Sequence, residues 1–204
     1  MRFLQLALLL ATIFLVKNVF AYGVGYSSYP WAENKKIIST EANGIMSQDG
    51  GVGLQARFTN KISEKITFDA GGGIQSGGHS GALFAGMDYE LFPDYMKQPR
   101  FSVRSALETM KEKDQRVNVI SVAPMLSKGF SMWNKEAYPY IAIPLGLALN
   151  AESNTYRTTM NLAAGLVGNL PFEGYEKLTA KLEATLSVKD SYSGVLFGVS
   201  YPIN

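Results

Sequence analysis

The sequence predicts an all-β protein: an antiparallel up-and-down transmembrane β-barrel of about ten strands, or eight if the two weakest do not form. Three observations carry this expectation. Apolar and polar residues alternate without a break from Leu178 to Val188, and strand side chains point to opposite faces with a period of two. An oblique membrane crossing takes roughly 9–11 such residues, apolar outward and polar inward. Similar segments recur along the chain between turn residues, with no heptads and no helical period. Composition agrees, because 20 Gly, 11 Tyr and 11 Phe suit closely approaching strands with aromatic belts better than a helical bundle.

The first 21 residues stand apart. Arg2 supplies a positive charge, and Leu4 to Val16 is apolar apart from Gln5 and Thr12. Val19-Phe20-Ala21 then places small residues where a signal peptidase reads. This pattern predicts a cleavable secretory signal over 1–21, with Tyr22 the first mature residue; the apolar run is too short for a span of about 20 residues. Residues 22–35, rich in Tyr, Ser and Pro, form an extended lead-in, and residues 36–204 form the barrel. Arg2 and Lys17 account for the whole formal charge of +2, so the mature chain is neutral and no nucleic-acid partner is expected. The absence of cysteine excludes disulfides, thiolate metal sites and a Cys nucleophile.

The strands follow in order. The first, Lys36 to Met46, has the weakest pattern. Asp49-Gly50-Gly51 is a hairpin signal opening into a second strand, with Val52, Leu54, Ala56 and Phe58 on one face and Gln55, Arg57 and Thr59 on the other. A third sets Ile66, Phe68 and Ala70 against Thr67 and Asp69. After Ser76-Gly77-Gly78-His79, a fourth carries Leu83, Ala85, Met87, Tyr89 and Leu91 opposite Asp88 and Glu90. The Pro93–Pro99 connection leads to a fifth, with Phe101, Val103 and Leu107 opposite Arg104 and Glu108. The sixth, Val117 to Leu126, is apolar on both faces and its phase is open. The seventh aligns Ile141, Ile143, Leu145, Leu147 and Leu149, and the eighth Tyr156, Thr158, Met160, Leu162, Ala164 and Leu166 opposite Arg157 and Asn161. The alternation from Leu178 is the ninth, with Lys181 and Glu183 on its polar face. Lys189–Gly194 turns it into the tenth, with Val195, Phe197, Val199, Tyr201 and Ile203 in phase.

Such a meander closes either as a membrane barrel with a polar interior or as a soluble barrel with an apolar one. Bulk decides for the membrane. One small interior would have to hold the in-phase Leu and Phe residues together, whereas the opposite face offers Gly71, Gly73, Ala142, Gly146, Ala148, Ala163 and Gly165, which fit a confined lumen. The predicted lumen network is Arg57, Asp69, Asp88, Glu90, Arg104, Glu108, Arg157, Lys181 and Glu183. Mixed charges in such a space are paired or hydrated, because isolated buried charges are very costly. Aromatics are one-sided: Phe92, Tyr95, Phe130, Trp133, Tyr138, Phe172, Tyr175 and Tyr201 rim the end that bears both termini, the pattern of a membrane-interface girdle.

With a signal peptide, amphipathic ten-residue strands and a closing strand carrying Phe197, Tyr201 and Ile203 in phase, the chain resembles the small outer-membrane β-barrel proteins of Gram-negative-type bacteria. The resemblance covers about residues 36–204 and is one of pattern. It implies a monomeric, non-enzymatic barrel in outer-membrane lipid, delivered by the outer-membrane assembly machinery, with a structural or small-solute-passage role. Two alternatives remain open: a soluble periplasmic or secreted barrel holding an apolar ligand, and a lipid-modifying hydrolase. For the latter, His79, Ser80 and Glu90 are the candidates, but neighbouring strand residues face opposite ways, and a solvated turn histidine is the simpler reading. No cofactor or metal is expected from one His and no Cys.

Overall fold

A computed structural model describes residues 25–46, 50–76, 79–112, 115–132 and 134–203. The leader, the Asp49 end of the first hairpin and Trp133 lie outside the described residues. Twelve strands form one sheet: β1 (Lys36–Ile45), β2 (Val52–Lys61), β3 (Ile66–Gln75), β4 (His79–Phe92), β5 (Arg100–Glu112), β6 (Gln115–Ser127), β7 (Phe130–Met132), β8 (Lys135–Ala142), β9 (Leu145–Asn150), β10 (Thr155–Asn169), β11 (Thr179–Lys189) and β12 (Gly194–Ile203).

All pairings are antiparallel, and the sheet closes on itself. β1 pairs with β12 from Lys36↔Ile203 to Ile45↔Gly194, so the first strand is as fully bonded as the others. Closure removes the free edges that an open sheet would present. β8 and β9 are two halves of one barrel strand, because both pair with β6 on one side and β10 on the other. The break between them falls at Pro144, which has no N–H to donate; its carbonyl still accepts from Asn161 N at 3.0 Å. β7 pairs only with β8 and extends that hairpin beyond the wall. The wall therefore has ten strands, which settles the choice between ten and eight.

The alternation sets the faces. Along β11, Leu182, Leu186 and Val188 point outward at 60%, 46% and 58% exposure, while Thr179, Lys181 and Glu183 are buried. Val52, Leu54, Ile74, Leu83, Leu107, Ile120, Leu145 and Phe197 are likewise exposed on the outer surface, and Arg57, Asp69, Asp88 and Arg104 are buried within. Both termini of the barrel domain lie at one end, called here the near end.

The open phase of the sixth strand has a physical reason. Val117, Val119, Ala123 and Met125 of β6 face inward and are buried, and Ile120, Val122 and Leu126 face outward and are exposed. Both faces are apolar because the interior beside β6 is covered by aromatic side chains instead of water. Tyr26 packs with Ala123, Met125, Tyr140, Ala142, Ala163 and Val167. Nearer the far end, Tyr192 packs with Val117, Val119 and Ala148.

Candidate functional site: a filled, two-sided lumen

The interior has a charged half and an apolar half. The charged half is built on β11, β1, β2, β3 and β5. Glu41 of β1 accepts from Arg57 Nη2 at 3.0 Å, and from Gln55 and Lys181. Arg57 also donates to Asp69 Oδ1 at 3.2 Å. Arg104 reaches the same carboxylate with both terminal nitrogens, Nη2 at 2.7 Å from Oδ1. The Arg57 guanidinium lies 4.6 Å from the centre of the Phe84 ring, a cation–π contact. Toward the near end a second cluster joins Arg100 to Asp88, and to Glu90 at 2.6 Å. Charges removed from water at this depth are tolerable only as such networks, since an uncompensated one costs several kcal/mol.

The structure thus brings Arg57, Asp69, Arg104 and Lys181 into one cluster, and Asp88 and Glu90 into another. Glu183 stands apart from both and has different work. Its Oε2 accepts from the backbone N–H of Tyr26 at 2.7 Å and from the Tyr140 hydroxyl at 2.5 Å. Glu108 and Glu183 line a cavity of about 70 Å³ with Gln55, Gln75 and Tyr192, and Arg157 lines one nearer the far end with Gln115 and Asn150. Sequence reasoning missed Glu41, Lys61 and Arg100. Glu41 lies on the strand with the weakest pattern, and Arg100 follows Pro99 in what reads as a connection. The spacing Arg100–Ser102–Arg104 was the available signal, as all three are buried on one face.

The apolar half holds the main departure from expectation. Residues 25–31 enter the barrel from the near end and run into the lumen without pairing to any strand. Tyr26 and Ser28 are 3% and 1% exposed. Ser28 Oγ donates to the Tyr138 carbonyl at 2.9 Å, the Tyr29 hydroxyl to Asn169 Oδ1 at 2.7 Å, and the Tyr140 hydroxyl approaches the Tyr26 carbonyl at 3.1 Å. Arg104 lies 5.9 Å from the Tyr26 ring centre, so this ring sits between the two halves.

The small inward residues make room for these rings. A Cβ on Gly165 would lie 2.4 Å from the Tyr140 ring, and one on Gly71 would lie 2.5 Å from Phe84. These glycines fit a confined lumen, as their size suggests, because aromatic side chains occupy the space they leave. At the far end, Ser191 and Tyr192 of the turn before β12 fold inward and are buried.

At the near end, Phe92, Tyr95, Phe130, Phe172, Tyr175 and Tyr201 are 45–65% exposed. Tyr138 departs from this rim: it is half-buried, packs edge-on against Tyr29 with ring centres 5.4 Å apart, and donates to Glu136. His79 opens β4 opposite Glu112 at the far end. Among the described residues no group of His, Cys, Asp and Glu is arranged to hold a metal.

No protein-family model and no curated protein matches the chain. Among solved structures it is similar to a protein described as "De novo design of transmembrane beta-barrels", with 14% identity and a TM-score of 0.43 over 86% of this chain and all of that one.

Proposed function

We propose that this chain is an integral β-barrel of a bacterial outer membrane, exported by a cleaved leader, with a structural rather than an enzymatic role and a lumen closed at rest. The observation that carries the reading is the inversion of the usual side-chain distribution. Arg57, Arg104, Lys181, Glu41, Asp69 and Asp88 are buried, and every strand of the wall presents apolar side chains on its outer face. A soluble monomer exposes contiguous apolar patches of at most a few hundred Å², and a continuous girdle exceeds that. Dimensions agree: a ten-residue strand rising about 3.3 Å per residue and tilted about 40° stands about 25 Å tall, the height of a barrel's lipid-facing band. A soluble barrel with an apolar ligand inside has no support in an interior filled by ion pairs and tyrosines.

The test is fractionation of cells expressing the full chain, with gel mobility before and after boiling. Recovery in the outer-membrane fraction with a mobility shift on heating supports the proposal. Release in the soluble fraction with no shift overturns it. The same preparation, sequenced from its N-terminus, tests processing after Ala21.

A further inference from the structure

We propose that residues 25–31 are a removable plug, and that the lumen becomes a conduit for small solutes when they withdraw. This rests on the membrane reading above. Every wall strand is hydrogen-bonded to neighbours on both sides, whereas this segment has no ladder at all. Among the described residues its attachments are side-chain contacts: the Tyr26 N–H on Glu183, the Tyr140 hydroxyl at the Tyr26 carbonyl, Ser28 on the Tyr138 carbonyl, Tyr29 on Asn169 and against the Tyr138 ring, and the Tyr26 ring in its alanine-lined cradle beside Arg104. Segments held by few bonds open at far lower free energy than the sheet that surrounds them. Withdrawal leaves the wall intact, since no barrel pairing includes these residues.

The space on either side fits such a role. A cavity of about 250 Å³ opens at the near end, lined by Ser27, Trp31, Lys61, Arg100 and Arg104 among others. The cavity of about 70 Å³ beyond it is lined by Gln55, Glu108 and Glu183 on one side and by Ile45, Met110 and Tyr192 on the other. Tyr26 bonds to Glu183, which lines the second cavity, and Ser27 lines the first, so the segment runs between them beside the Glu41–Arg57–Lys181 cluster. Its removal joins the two spaces along one charged half-wall. Acidic and basic groups are closely balanced there, so the open lumen selects weakly between cations and anions.

The chain has no cysteine, so one introduced thiol reports on the plug alone. In S28C, a membrane-impermeant maleimide reacts slowly when the plug is seated. Y26A/S28C removes the ring that fills the cradle, and labelling is expected to accelerate by about a hundredfold, as fits loss of a buried aromatic. Planar-bilayer recordings of Y26A show frequent open events where the parent chain shows few. E183Q, which keeps the side chain's size, shifts both readouts in the same direction by a smaller factor. Heat-shifted gel mobility of each variant establishes that its barrel is folded. Equal labelling rates in folded S28C and Y26A/S28C overturn the proposal and make the segment a permanent filler. Fast labelling without conductance overturns the conduit and leaves the lumen shut at Tyr192. Loss of the mobility shift in the parent chain itself overturns the membrane reading instead, and labelling of that soluble protein still decides whether the segment moves.

Discussion

Replacing Glu41 with Gln removes one negative charge from the centre of the lumen and keeps the side chain's shape. Glu41 is 2% exposed and takes bonds from Arg57, Gln55 and Lys181. Arg57 keeps Asp69 as a partner at 3.2 Å, but Lys181, itself 6% exposed, loses the carboxylate it pairs with. Breaking one side of a buried ion pair typically costs about 3–5 kcal/mol, because the remaining charge is left uncompensated. E41Q is therefore expected to lower unfolding stability by about that amount. Replacing both partners by groups of similar shape is often nearly neutral, so E41Q/K181M recovers more than half of the loss. Reversible urea unfolding of the barrel refolded in lipid vesicles, followed by tryptophan fluorescence, gives the three free energies. A cost below about 1 kcal/mol for E41Q, or strict additivity in the double variant, would refute the view that this cluster is a coupled, desolvated network.

Three further outcomes follow from the same geometry. G165A forces a methyl to within 2.4 Å of the packed Tyr140 ring and loosens its bond to Glu183; a loss of about 1–3 kcal/mol is expected in the same unfolding assay. At the near end, partial burial pushes the Asp94 carboxyl up, but hydrogen bonds from Lys128 and the Gly129 N–H outweigh it and hold the group below the usual carboxylate range. A depressed acid stabilises above its unfolded pKa and loses that contribution as pH falls through the folded value. Limited proteolysis of the Pro93–Pro99 loop should thus rise on acidification below the ordinary carboxylate range, and D94N should abolish that dependence. Lys128 is 41% exposed, so D94N is expected to cost less than about 1 kcal/mol in global stability.

The wall was legible because a period of two survives along nearly every strand, and a one-residue slip would exchange its two faces. Arg57, Asp69, Arg104 and Lys181 stood out as inward charges for that reason. The plug was not legible. Tyr26, Ser28 and Tyr29 lie in a stretch with no period, and nothing local says that it turns back into the barrel. Its trace was on the partner strand: the inward Val117, Val119, Ala123 and Met125 of β6 broke the polar face and implied an apolar cover. Ala142 and Ala163 carried the same message, since small inward residues make room for something large. Glu41 was hidden differently, because Ile37, Ser39 and Glu41 share an inward face that mixes polarity and weakens the alternation.

A lipid-facing belt makes a demand that no soluble barrel makes. Leu182 is 60% exposed at the middle of β11. In vesicles, L182R is expected to cost about 2–4 kcal/mol of folding free energy, while arginine in place of Phe172 at the near-end rim costs about 0–1 kcal/mol. On a water-facing surface both changes would fall within about 0.5 kcal/mol of zero. A cost that peaks at mid-strand and fades toward the rim supports the outward lipid face, and a flat profile near zero contradicts it.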